Sequence, residues 1–420
     1  MFVSPKTLSP FTFLPIIALI ACAAQPQPAV PPAPSDQPVP STYLQPPSAA
    51  RSEWAWTTIQ GEARTYLQTW DRLQRIMDES GVSGLSLTLT QADSWMANPD
   101  TYFFDFGRTY SEGGSAVDST TMFPARRLGQ PVFGYLALKL VDRGQFDIDH
   151  PLYKYLPKPL AEYPAYADLA TDSRAKSLTA RWILTQRSGL ANSRADRSDG
   201  KLVFERSPGG YFGYSEEGYG FLKFVLEQKF GRSFNDLAKE VVFDFLTLRE
   251  MSFTREPRFQ DQPAGIVAGR PESEPSALPA FWTSSADYNR FIWAVMVSGG
   301  AFANPYIGLP YHVSQTIVRS PSVLEPPRAS GRLDLPLAFG WSFGWGCYYI
   351  EMHKVECIGE RGPGIEYYAT VVSRLPGKIT ILTFIAAGKA SQSVARRILL
   401  GVMGDIEPPL VWLGLEDKTP

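Results

Sequence analysis

Histidine and cysteine are scarce in this chain, with three of each among 420 residues. That supply leaves little room for a site built from imidazole and thiolate ligands, so neither a metal nor a cofactor is expected. A basic excess is missing as well. Forty Lys and Arg against 42 Asp and Glu leave a net charge of −2, which excludes the clustered positive footprint of a nucleic-acid binder. No internal repeat is present. What remains is 44% apolar and 13% aromatic, which excludes a disordered, collagenous or disulfide-dense chain. The length suffices for one large domain or two ordinary ones.

The first fifty residues are not read as fold. Lys6 supplies a positive start, and residues 11–21 (FTFLPIIALIA) form an apolar core too short for a comfortable membrane span. The run ends Leu19-Ile20-Ala21-Cys22, which resembles a bacterial lipobox. That resemblance implies a signal peptide over residues 1–21 and a diacylated Cys22 at the mature N-terminus. It implies a lipid-anchored protein on the periplasmic side of the envelope, and Ala23 after the cysteine implies the outer membrane. Residues 23–50 carry nine prolines and a single charge, Asp36. They cannot bury enough apolar surface to fold and read as a tether. Residues 22–50 are therefore the lipidated tether and 51–420 the folded domain.

An oxidising compartment gives meaning to the other two cysteines. Cys347 and Cys357 lie in GWGCYYIEMHKVECIGE. Two strands turning near Met352-His353 would place them opposite each other, which permits a disulfide. Two buried free thiols are the other reading.

Apolar Tyr66, Leu67, Trp70, Leu73 and Ile76 share one face of a helix over residues 60–78. Residues 82–90 (VSGLSLTLT) alternate as a strand, and Tyr102 to Phe106 suggest the next. A helix begins near Pro131 and stops at Gly144. Strands return at 338–350, 366–373 and 378–387, and a last helix covers 391–403. Sheet segments from about 60–110 and 338–405 thus flank a largely helical stretch of about 115–330. The expected class is α+β, an antiparallel sheet flanked by helices with a helical insertion.

Six segments, in order, carry a resemblance. They are Thr121-Met122-Phe123 with the helix from Pro131, LTARWILTQRSGL (178–190) and SPGGYFGYSEEGYGFL (207–222), then PAFWTSSADYNRFIWAVM (279–296), FGWSFGWG (339–346) and IGERGPGIEYYATVV (358–372). Together they resemble the serine β-lactamase and penicillin-binding-protein superfamily, in its class C and esterase-like branch. The resemblance implies a β-lactamase/transpeptidase-like fold and acyl-transfer chemistry. That chemistry uses a serine three residues before a lysine on one helix, which puts hydroxyl and amine on the same face. A Tyr-x-Asn motif, a Lys/His-x-Gly strand and two backbone N–H groups complete the site.

Here those positions hold other residues. FPARRLGQPV places Arg127 where the nucleophile belongs and Gln130 where the lysine belongs. Arginine offers no usable nucleophile, and glutamine is not a base. Tyr214-Ser215-Glu216 keeps the tyrosine but replaces asparagine by Glu216. Glu360-Arg361-Gly362 keeps Gly362 and has Glu360 in place of Lys/His. A one-residue shift of that register restores neither. The expectation is a pseudoenzyme, with Arg127 ion-paired to Glu216, Glu360 or both, or else with each side chain turned to solvent.

Other candidates fare worse. Ser173-Arg174-Ala175-Lys176 has the spacing but not the helix, Ser188 reads as structural, and His150, His312 and His353 lack a neighbouring serine or carboxylate motif. A two-carboxylate glycosidase built on Glu216 and Glu360 would have an arginine beside both. The leading expectation is a non-catalytic envelope lipoprotein that holds a peptidoglycan fragment, a peptide or another envelope protein. The alternatives are a weakly active or altered hydrolase or esterase, and a structural lipoprotein without a working cleft.

Overall fold

The computed structural model of the protein describes residues 54–58, 60–80, 82–94, 97–109, 115–259, 280–298, 322–324, 338–350, 353–361, 367–375, 378–388 and 392–404. The chain divides into two units, Met1–Gln45 and Pro46–Pro420, and every described residue belongs to the second. The signal segment, Cys22 and the tether lie outside the described residues, as do Gly362 and His312.

The order is β1 (Ala55–Thr57), β2 (Ala63–Thr65), α1 (Tyr66–Ser80), β3 (Val82–Ala92), β4 (Asp100–Gly107), β5 (Phe123–Pro124) and α2 (Gly129–Asp142). The middle holds α3 (Ala167–Ala170), α4 (Ala180–Leu184), α5 (Glu216–Phe230), α6 (Phe234–Ala238), β6 (Met251–Ser252), β7 (Trp282–Thr283) and α7 (Ser285–Ser298). Then follow β8 (Ser322–Leu324), β9 (Ala338–Ser342), β10 (Trp345–Ile350), β11 (His353–Arg361), β12 (Tyr367–Leu375), β13 (Lys378–Gly388) and α8 (Gln392–Met403).

Eight antiparallel strands build one sheet in the order β4-β3-β13-β12-β11-β10-β9-β8. The β3–β13 pairing joins the two ends of the domain, and α2 to α7 all lie in the chain between them. A smaller sheet, β5-β7-β6, lies within that helical part. This is the expected α+β architecture.

The alternation in β3 explains how the layers meet. Leu85, Leu87 and Leu89 join Leu73 and Ile76 of α1 and Ile398 and Leu399 of α8 in one core. Ser86, Thr88 and Thr90 occupy the other face, which the pattern would ordinarily turn to water. Here α7 covers it. Ser285 Oγ lies 2.8 Å from Ser86 Oγ and 2.7 Å from Thr88 Oγ1, and Thr90 Oγ1 donates to Asn289 Oδ1 at 2.7 Å. Asn289 Nδ2 also donates to the Thr88 and Ile381 carbonyls at 3.0 and 3.1 Å. The buried hydroxyls are thereby paired, as burial demands. Asp105 of β4 accepts from Ser86 at 2.8 Å at the margin of this seam. Burial pushes its carboxyl up to about 7, against the Ser86 bond and with the help of nearby Asp118.

Three expectations need correction. First, the stretch 338–350 is two strands rather than one, broken at Phe343-Gly344. Both residues have positive φ, 51° and 92°. A Cβ at Gly344 would stand 2.3 Å from the Gln130 carbonyl carbon, so only glycine allows this turn to seat on the start of α2. Second, α2 begins at Gly129, two residues before Pro131, which therefore sits inside the first turn where its missing N–H costs nothing. Third, the β10–β11 hairpin forms, but Cys347 opposes Glu356 and Cys357 opposes Gly346. The two cysteines are therefore one residue out of register rather than directly opposite.

Candidate functional site

The site grows from the junction of the small sheet and α2. Phe123 and Pro124 pair with Thr283 and Trp282, and Ala125 N–H donates to the Phe281 carbonyl at 2.8 Å. The chain then makes a 3₁₀ turn, Arg126–Leu128, entered through a positive φ of 31° at Arg126. That turn presents Arg127 just ahead of α2. The residues of α2 from Gly129 to Leu140 are all buried, so Gln130 is only 1% exposed.

The opposing wall is the start of α5. Ser215 caps this helix, with its Oγ accepting from Gly218 N–H at 3.1 Å and donating to the Ala191 carbonyl at 2.8 Å. Glu216 and Glu217 fill the first turn, where the helix dipole favours carboxylates. Ser215 N–H is held by Gln186 Oε1 at 2.8 Å, and the Glu216 and Glu217 N–H groups by the Asn192 carbonyl, both at 3.1 Å.

Between these walls the motif positions meet. Arg127 Nη2 and Nε donate to one oxygen of Glu216, Oε1, at 2.9 and 3.3 Å. The guanidinium lies over the Tyr214 ring, 4.7 Å from its centroid. The pair is partly screened, with side-chain exposures of 32% for Arg127 and 16% for Glu216. Gln130 Nε2 donates to the Tyr214 hydroxyl at 2.8 Å, while its buried Oε1 accepts no hydrogen bond among the described residues. An acceptor left so costs about 1–3 kcal/mol. Three elements converge on one tyrosine: Arg127 covers its face, Gln130 holds its hydroxyl, and Glu216 holds Arg127.

Four of the six expected positions are therefore brought together, and Glu216 pairs with Arg127. Glu360 lies on β11, which packs beside the Arg126–Leu128 turn. Gly362 lies outside the described residues. The competing serines sit elsewhere. Ser173 and Lys176 are exposed in a 3₁₀ turn capped by Asp172. Ser188 is buried and accepts from Leu190 N–H at 3.3 Å. His150 is half-buried, its ring 5.0 Å from that of Tyr155.

One feature of the wall was not foreseen. Glu217, 3% exposed, receives a bidentate fork from Arg194, 2.9 Å to Oε1 and 2.8 Å to Oε2. Arg194 N–H adds a third bond at 2.9 Å, and its Nη1 reaches the Ala165 carbonyl at 2.6 Å. A buried charge is tolerated only with such pairing. The clamp ties the loop 191–198 to the helix that carries Glu216. Nothing in the spacing of residues 194 and 217 signals it.

A protein-family model for beta-lactamase matches residues 70–397. Among solved structures, an octameric penicillin-binding protein homologue from Pyrococcus abyssi superposes with a TM-score of 0.59 at 16% identity, over 80% of this chain and 77% of that one. A beta-lactamase/D-alanine carboxypeptidase from Pseudomonas syringae gives 0.59 at 13% identity, over 81% and 99%. A class C beta-lactamase from Rhodobacter sphaeroides gives 0.57 at 14% identity, over 80% and 98%. At such identities the structures speak for the fold alone. No curated protein matches the chain.

Proposed function

The chain belongs to the beta-lactamase family, and from that premise we propose that it is a catalytically inactive member, a binding or scaffolding lipoprotein of the cell envelope. The observation that carries this reading is the Arg127–Glu216 pair, standing where the family's resemblance puts a nucleophile and an asparagine. A guanidinium keeps its proton at any accessible pH and cannot attack an acyl carbon. Gln130 has no basic lone pair to replace the lysine, and its amide N–H is spent on the Tyr214 hydroxyl. Losing nucleophile and base together leaves about 10³–10⁴-fold over water at best, from binding and dipoles.

What the site retains is recognition chemistry, a guanidinium and a carboxylate that are both partly exposed. These suit a polar ligand held without reaction, a peptidoglycan fragment, a peptide or a segment of another envelope protein. The N-terminal segment supports the setting. Its apolar run ending at Cys22 and the proline-rich residues 23–50 fit a lipid anchor and tether on the periplasmic side of the outer membrane.

The test is covalent labelling of the purified protein with a fluorescent penicillin and with a fluorophosphonate, read by intact mass. No adduct is the expected result. A stoichiometric adduct on one serine would overturn the reading and name the nucleophile.

A further inference from the structure

A chain of hydroxyls joins the edge strand β4 to the first turn of α7. Ser86 Oγ donates to Asp105 Oδ1 at 2.8 Å and lies 2.8 Å from Ser285 Oγ, which in turn lies 2.7 Å from Thr88 Oγ1. A hydroxyl has one proton to give. Ser86 spends its own on Asp105, so Ser285 donates to Ser86 and Thr88 donates to Ser285. The chain therefore runs in one direction and ends on a carboxyl.

That carboxyl stands between two states. Asp105 is half-buried, which leaves it a route to water. Burial, with the charge of Asp118 in the loop after β4, holds it up to about 7 against the Ser86 bond, and no cation among the described residues bears on it. In water it would titrate near 4. β3 and α7 meet it through hydroxyls. The carboxylate in the first turn of α7, Asp287, is taken up by Glu250 N–H and Arg290 Nη1, both at 2.7 Å. The Glu250 carboxylate pairs with Arg258 at 3.4 Å. Protonated, Asp105 leaves the seam neutral. Ionised, it places a charge beside α7 with the Ser86 hydroxyl to solvate it, and a charge so poorly paired is costly to keep from water.

Three holds compete when that charge forms. β4 is paired with β3 along its whole length, from Gly84 opposite Gly107 to Gln91 opposite Asp100. The second turn of α7 is held by Asn289, which accepts from Thr90 and donates to the Thr88 and Ile381 carbonyls. None of those bonds titrates. The first turn is tied to β3 by the Ser285 hydroxyl. Against a full ladder and three bonds, it gives way first, with Asn289 as the pivot. Its movement reaches the candidate site. Trp282 and Thr283, just before that turn, pair with Pro124 and Phe123, and the Phe281 carbonyl takes Ala125 N–H at 2.8 Å. The Arg126–Leu128 turn follows directly. We propose that Asp105 is a proton-operated latch: protonated, it closes the first turn of α7 onto β3 and fixes the turn that carries Arg127, and ionised, it releases both. Such a shift needs only that the two states differ in their affinity for the proton.

The inference does not rest on the loss of catalysis, because neither Asp105 nor the hydroxyl chain belongs to the acyl-transfer motifs. Its test is hydrogen–deuterium exchange of the full protein at pH 5 and pH 7, corrected for the intrinsic pH dependence of amide exchange. The readout is the mass of peptides 121–128, 282–288 and 289–298. Opening that returns Asp105 to its ordinary range raises the opening equilibrium of 121–128 and 282–288 about fiftyfold between the two conditions. Peptide 289–298, beyond the pivot, should rise far less. Asp105→Asn keeps the shape without the titration and should abolish the rise. Should it fail to fold, Asp118→Asn removes the neighbouring charge and should shrink the rise. A rise uniform over the domain, one confined to β4, or one unchanged in the variant would overturn the latch. Covalent labelling reports separately on the proposed loss of catalysis, so the two failures are distinguishable.

Discussion

Glu216→Gln leaves the Arg127 guanidinium over Tyr214 with a neutral acceptor where a carboxylate stood. Two unit charges about 4 Å apart attract by about 4 kcal/mol at an effective dielectric of 20. Most of that is offset, since the partners are 32% and 16% exposed and each gives up water and rotamer freedom. A net coupling of about 1–2 kcal/mol remains, above an exposed pair and below a buried one. The assay is a double-mutant cycle of Arg127→Met, Glu216→Gln and the combination, by urea unfolding. The cycle cancels the loss of the helix-dipole contribution of Glu216, which appears in both of its arms. Each single variant strands the partner's charge, and Glu216→Gln should cost more than Arg127→Met, because the carboxylate left by the latter still faces the N-terminus of its helix. The coupling should shrink at 1 M salt, where the screening length falls to about 3 Å. A coupling under about 0.3 kcal/mol, or one indifferent to salt, would refute the idea that the pair holds the remodelled cleft together.

Further outcomes follow from the same geometry. Asp105 titrates near 7 when folded and near 4 when unfolded, so the folded state binds its proton more tightly. Its contribution to stability is full below pH 4 and is lost as pH rises through 7, by up to about 1.4 kcal/mol per unit. Asp105→Asn should remove that decline, and urea midpoints from pH 4 to 8 that run parallel to the parent's would contradict it. Glu217→Gln weakens the clamp on a charge that is almost wholly buried. A loss of about 3 kcal/mol is expected, with faster proteolysis in the loop 191–198, and an unchanged cleavage rate would count against the clamp. Cys22→Ser should move the protein from the membrane to the soluble fraction and abolish palmitate incorporation. Retention of both would remove the lipid anchor from the proposal.

Much of the fold was legible because its signals are local. The helical face of Tyr66, Leu73 and Ile76 and the alternation through Leu85, Leu87 and Leu89 need only nearest-neighbour periodicity, and both elements are present. The ends were less legible. The helix expected from residue 60 yields to β2 before Tyr66, and the strand expected over 338–350 folds back at Phe343-Gly344. In both places a long-range contact decides: β1 pairs with Ala63–Thr65, and the backbone of Gln130 receives the 343–344 turn.

By itself the sequence determined the order of the elements and the β-lactamase-like plan. Residue type and short spacing are enough for those. Tertiary structure alone decided that Arg127 engages Glu216, 89 residues away, and that Gln130 turns its amide to Tyr214. It also set Cys347 and Cys357 one residue out of register and buried the polar face of β3 under α7. Periodicity says which face of an element is apolar, but not which distant side chain completes a charge or a hydrogen bond, because that depends on how helices and strands stack.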